Sequence, residues 1–262
     1  MIPSLRPFVG NFRPLISSPG TVPLQSFTLA SGGTMKTAKF VLPLLLASIL
    51  VAQQSPGIRA ISEDFLAGLN GDTERFERGM KSLEALLAKS PTDPKLKVLH
   101  GTGIFARSGA AFEKGDTQNA MKFWQSGLEE MAKAVEQAPN DIFVRARRGV
   151  VLISASRASS IPPLMARPLL QSAVEDFEKV LEIREKEQTL AQRSLHQRGE
   201  LLTGLADGWN RLGNRDKART YFDRVTRDLK DTAYAEKARA WLDDKPESRV
   251  AEYFACTGCH ME

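Results

Sequence analysis

Cys256 and Cys259 are the only two cysteines in the chain, and His260 directly follows the second. Cys-x-x-Cys-His is the spacing at which c-type haem is attached. Two thiols add to the two vinyl groups of one porphyrin, and the next imidazole reaches the iron from one face. The expected site is therefore one covalent haem c, anchored by Cys256 and Cys259, with His260 as axial iron ligand. Met261 cannot supply the opposite axial position, because it follows His260 directly and cannot reach the other side of the ring. The same cysteines could close a local disulfide, form a loose metal site or exchange disulfides. Exchange cysteines sit at a helix N-terminus in a βαβ setting that lowers the thiolate pKa, and no such pattern surrounds these. A Gly-rich phosphate loop, Gly-x-Ser-x-Gly and His-Glu-x-x-His are all absent from the sequence. An electron carrier or adaptor is expected rather than an enzyme.

The motif sits on a short tail, 244–262. Pro246 stops the preceding helix, and the charges up to Glu252 mark an exposed linker. In a small cytochrome c, which this motif resembles, the attachment site lies near the start, and later residues wrap the haem and supply a distal ligand. Here two residues follow His260, so that fold is not expected. A haem on this tail must be covered by the rest of the chain, by Tyr253 and Phe254, or by a partner protein, since a bare porphyrin is a large apolar patch.

The other end of the chain bears on the same chemistry. Residues 1–34 are rich in Pro, Ser and Gly and carry no period. Met35, Lys36 and Lys39 then precede an apolar run from Phe40 to Ala52, the shape of a secretory signal peptide. The run falls short of the ~20 residues a membrane span needs, and Pro43 lies inside it. We expect 1–34 to be a mis-called or disordered leader with translation starting at Met35, 35–60 to be a signal peptide cut after Ala52 or Ala60, and the mature protein to be exported, periplasmic or otherwise extracytoplasmic, with no stable membrane span. Bacterial c-type haem is attached outside the cytoplasmic membrane, so the two signals support each other. The first acid is Glu63, after five basic residues. The net charge of +5 therefore belongs to the leader, the remainder is balanced, and no basic footprint for nucleic acid remains.

Between these ends, 61–243 reads as helix throughout. Apolar residues recur at three and four, as in Leu83, Leu86 and Leu87 or Met131 and Val135. Punctuation falls at Pro91, Gly115-Asp116, Pro139 and Gly213-Asn214. Leu202, Leu205, Ala206 and Trp209, a turn at Gly213, then Ala218, Phe222 and Val225 resemble a tetratricopeptide repeat (TPR), a helical hairpin with small residues at its close contacts. Gly127, Met131 and Ala134, then Gly79, Leu83 and Leu86, and finally Phe177 and Val180 fit looser copies. They lie roughly 45–48 residues apart against about 34 in the standard unit, so the helices or connections must be longer. The resemblance implies an all-α, right-handed superhelix (solenoid) of about four TPR-like hairpins, with Asp231 to Asp243 as a capping helix and a protein partner on the concave face. Other helical-hairpin solenoids share this physics.

Four further features carry expectations. Ser154 to Pro168, with Pro162-Pro163, reads as a long loop. Trp124, Trp209 and Trp241 read as core. Arg145, Arg147 and Arg148 read as a solvated helix face. His100 and His196 are structural or solvated, with a second haem ligand as the lesser option. The functional expectation is an exported TPR-like adaptor carrying one covalent haem for electron transfer within or to a protein complex. The alternative is a haem-free scaffold with a vestigial or truncated tail.

Overall fold

Short polar residues that begin helices set the rhythm of the body. Asp72, Asp93, Asp116, Asp141, Ser194, Asn214 and Thr232 each accept a backbone N–H from the first turn of the helix that follows. Such a cap satisfies a donor with no partner inside the helix. In three places it follows a glycine with positive φ, Gly71, Gly115 or Gly213, a conformation that costs other residues a steric clash.

The computed structural model describes residues 56–69, 71–158 and 161–244. Among them all regular structure is helical: α1 Pro56–Leu69, α2 Thr73–Lys89, α3 Pro94–Glu113, α4 Thr117–Gln137, α5 Ile142–Ala155, α6 Pro163–Lys186, a short 3-10 turn Leu190–Gln192, α7 Leu195–Arg211, α8 Arg215–Asp228 and α9 Ala233–Leu242. Helices pack mainly on their chain neighbours, with the closest pairing between α3 and α4. α3 also touches α5, and α9 packs on α8. No helix of the described residues is long and apolar enough to cross a membrane.

Lengths explain the stretched period. α3, α4 and α6 run 20, 21 and 24 residues, so part of the extra length over the expected repeat sits in helices and part in the connections on either side of α6. The expected loop from Ser154 to Pro168 is corrected. α5 continues to Ala155, and α6 starts at Pro163. Pro163 takes the first helical position, where its missing N–H has no intrahelical partner to lose and its fixed φ suits the helix. Pro168 lies inside α6 and gives up one backbone bond, while Leu169 and Leu170 beside it are buried.

Two apolar clusters fill the body. Ile58, Ile61, Phe65, Met80, Leu83, Leu96 and Leu99 form one across α1, α2 and α3. The larger runs from Val98 to Trp241 through α3–α9 and contains Trp124 and Trp209, so all three tryptophans are core residues. Ile58 is 7% exposed; a signal-peptide cut after Ala60 would strip it from this cluster, and one after Ala52 would spare it.

Candidate functional site

Cys256, Cys259, His260, Tyr253 and Phe254 lie outside the described residues, as do 1–55. The structure therefore speaks to what the helical body offers. Among the described residues, no group of three or more His, Cys, Asp or Glu side chains could hold a metal ion.

The body's buried charge is organised by one recurring contact. A residue with a nitrogen donor at its tip, followed by glycine, on one helix faces an acid followed by a bulky apolar residue on another. Arg78-Gly79 faces Asp64-Phe65, His100-Gly101 faces Glu130-Met131, and Arg148-Gly149 faces Asp176-Phe177. The glycine lets the helices close. A Cβ would fall 3.1 Å from Asp64 Cβ at Gly79, 2.9 Å from Met131 Cγ at Gly101, and 2.7 Å from Phe177 Cε1 at Gly149.

Asp176 is the deepest of these acids, with a side chain fully removed from solvent. Arg148 donates to both its oxygens, Nε at 2.6 Å and Nη2 at 2.9 Å, and Arg145 Nη1 donates at 2.9 Å. This corrects the solvated-face expectation. Arg145 and Arg148 keep 17% and 14% side-chain exposure and clamp α5 to α6. Arg147 lies over the Phe143 ring at 5.7 Å and donates to Ser62 Oγ at 3.5 Å. Asp207 forms a related tie, accepting from Arg157 Nη2 at 2.6 Å, while Arg211 donates to the Ser156 carbonyl at 2.6 Å.

Asp64 is clamped by Arg75 Nε at 2.9 Å and by Arg78 Nε at 3.0 Å. The Arg78 hydrogen bond holds its carboxyl below the usual range; burial opposes this, and Arg75 adds to the lowering. A carboxylate depressed on folding contributes stability that is present above its unfolded pKa, about 3.9, and is lost as pH falls through the folded value. Acid titration followed by circular dichroism should therefore show stability dropping below about pH 4, with a shallower drop in Asp64→Asn.

Both helical histidines are engaged. His100 Nδ1–H donates to the two Glu130 carboxylate oxygens at 2.8 and 2.9 Å, tying α3 to α4. His196 Nδ1 lies 3.0 Å from the Tyr234 hydroxyl, which donates to Glu200 Oε1 at 3.1 Å. These contacts account for both residues as interhelical ties. Trp209 Nε1 donates to Glu178 Oε1 at 2.9 Å, and Lys217 Nζ stands 3.8 Å from its ring centroid.

A fourth copy of this recurring contact is incomplete. Gly199 presses on the Tyr234 ring as Gly149 presses on Phe177, but Ala233 stands where the other copies have an acid. Arg198 instead lines a groove of about 400 Å³ between the end of α6, the 3-10 turn, α7 and the end of α8. Leu190, Ala191, Leu202 and Leu229 supply its apolar wall, and Arg184 stands beside them. Two acids also line it, but both are taken. Glu185 pairs with Arg224, and Asp228 with Arg224 and Arg227. Burial pushes the Asp228 carboxyl up, yet Arg227 and Arg224 together hold it below its usual range. Burial, then the neighbouring Arg193, disfavours the charge on Arg184. Among the described residues no carboxylate lies within ion-pair distance of Arg184 or Arg198, and Arg198 Nε is buried without a hydrogen-bond partner. Sequence reasoning missed this groove. The available signal was Arg198-Gly199 repeating Arg148-Gly149 without an acid to match.

No protein-family model matches the chain, and neither the curated proteins nor the solved structures contain a match to it.

Proposed function

We propose that this protein is an exported helical-repeat adaptor that carries one c-type haem on its C-terminal tail and passes single electrons to or from a partner protein. The observation that carries the reading is the Cys256-x-x-Cys259-His260 spacing, which uses both cysteines of the chain. Each thiol would add across one vinyl group, sulfur to one carbon and the proton to the other, with nothing leaving. His260 would bind the iron. The bound haem supplies one-electron chemistry at its iron, and the protein's part is to hold it and present it.

Several features of the body support the adaptor half. Successive helical hairpins with long helices are the units from which TPR-like superhelices are built, and the packing of the last described helix, α9, on α8 supports its reading as a capping helix. In that arrangement the concave face takes a protein partner. The basic and apolar run at 35–52 supports export, and export would bring the chain to the side of the membrane where haem is attached.

A second reading, a haem-free scaffold, is favoured by one observation. Asp64, Asp176 and Asp207, the buried acids of the body, are all spent on helix packing. Expression in a host with cytochrome c maturation separates the two readings. The C-terminal peptide should gain about 616 Da, the mass of one added haem, and the protein should show a visible haem spectrum that Cys256→Ser/Cys259→Ser removes. A colourless protein with unmodified thiols leaves the scaffold.

A further inference from the structure

The groove described above is an apolar-walled recess lined by Arg184 and Arg198 and by two acids, Glu185 and Asp228, that are paired with Arg224 and Arg227, and the chain itself carries a candidate occupant. Resting on the haem reading, we infer that the groove between α6, α7 and α8 is the docking site for the propionate-bearing edge of the haem on this chain's own tail, with Arg184 and Arg198 binding the propionates.

Three observations carry the assignment. The first is charge. Glu185 and Asp228 pair with Arg224 and Arg227, whereas among the described residues no carboxylate forms an ion pair with Arg184 or Arg198, Glu187 acting on Arg184 only at longer range. An arginine keeps its proton in this setting, and a buried guanidinium donor without an acceptor costs free energy. A carboxylate would satisfy it with a charge-assisted bond. Arg198 Nε is such a donor.

The second is shape chemistry. Leu190, Leu202 and Leu229 stand beside the two arginines, so the recess suits a ligand that is apolar with carboxylates at one edge. A porphyrin with two propionates has that character, and a free inorganic anion lacks the apolar part. At about 400 Å³, the groove takes an edge and leaves the rest of the ring to a partner.

The third is reach. α9 has 10 residues, so it carries the chain about 15 Å from the neighbourhood of Leu229. The dozen or so residues from Asp244 to Cys256 extend to about 40 Å, more than enough to return.

The test uses the full mature chain with haem attached. Arg184→Gln/Arg198→Gln should keep the haem mass and the absorbance spectrum. It should lose most of the induced circular dichroism in the Soret band and be cut about tenfold faster by trypsin at Arg249, as expected when two charge-assisted bonds are removed. Arg184→Lys/Arg198→Lys should retain part of both signals. Hydrogen exchange on the unmutated groove gives an independent measure. Amides of 190–202 should be better protected in the haem-bearing protein than in Cys256→Ser/Cys259→Ser. Haem attached, but with equal dichroism, cleavage and protection throughout, overturns the groove and leaves the haem reading standing. A wild-type chain that carries no haem overturns both.

Discussion

Asp176→Ala is expected to lower the unfolding free energy by about 3–5 kcal/mol at pH 7, the range seen when one partner of a buried ion pair is removed. The acid has no solvent exposure, and three guanidinium bonds converge on it. Its loss removes the carboxylate that Arg145 and Arg148 share, leaving Arg145 its bond from Nε to the Pro139 carbonyl at 2.8 Å. Burial pushes the Asp176 carboxyl above the usual carboxylate range, against the pull of Arg148 and Arg145. The pH sign is therefore opposite to that of Asp64. The proton held by folded Asp176 adds stability below the unfolded pKa, and that share is lost as pH rises through the folded value. Burial therefore offsets much of what the ion pairs add to net stability. Accordingly, Asp176→Leu/Arg145→Met/Arg148→Met should recover most of the loss. Urea unfolding measures both, and a single mutant within 1 kcal/mol of wild type by that method would show that the arginines find water or other acceptors.

Gly127→Val should do comparable damage by a different route. A Cβ there would lie 2.6 Å from the Phe105 backbone nitrogen and 2.7 Å from the Gly101 carbonyl oxygen. These are main-chain atoms of α3, so no rotamer change relieves the clash, and α3 and α4 must separate. Separation would also disturb the packing of Phe105 on Trp124, now 4.8 Å between centroids. Overpacking of this kind costs about 1–3 kcal/mol, occasionally more, and only part is offset by valine's higher helix propensity, a few tenths of a kcal/mol over glycine. Contacts against flexible side chains should be milder. At Gly103 the nearest atoms belong to the Met80 thioether end, which can move. Thermal unfolding of Gly127→Val against Gly103→Ala checks the ranking, with the larger fall in Tm expected for Gly127→Val.

The placement of the helices was legible residue by residue. Gly115-Asp116 and Gly213-Asn214 encode a positive-φ turn and the next helix cap within two positions. Leu83, Met131, Phe177 and Trp209 were legible as core because a 3.6-residue period puts them on one face. Pro162-Pro163 misled about length, because proline marks either a loop or the first turn of a helix, and only the flanking packing of Leu169 and Leu170 decides. The Cys-x-x-Cys-His spacing is visible in the sequence alone because it spans five positions, and the haem proposed for it falls on residues outside those described.

The sequence by itself thus determined what is local among the described residues: capped helices and their turns. Only the tertiary structure decided what each charge is for. Arg145 and Arg148 find Asp176 about thirty residues away, while Arg184 and Arg198 come together beside acids already taken by Arg224 and Arg227. The physical reason is distance along the chain. A cap or a turn is satisfied by its immediate neighbours, whereas a guanidinium on a helix face is solvated, clamped or left facing a groove according to which other helix folds against it.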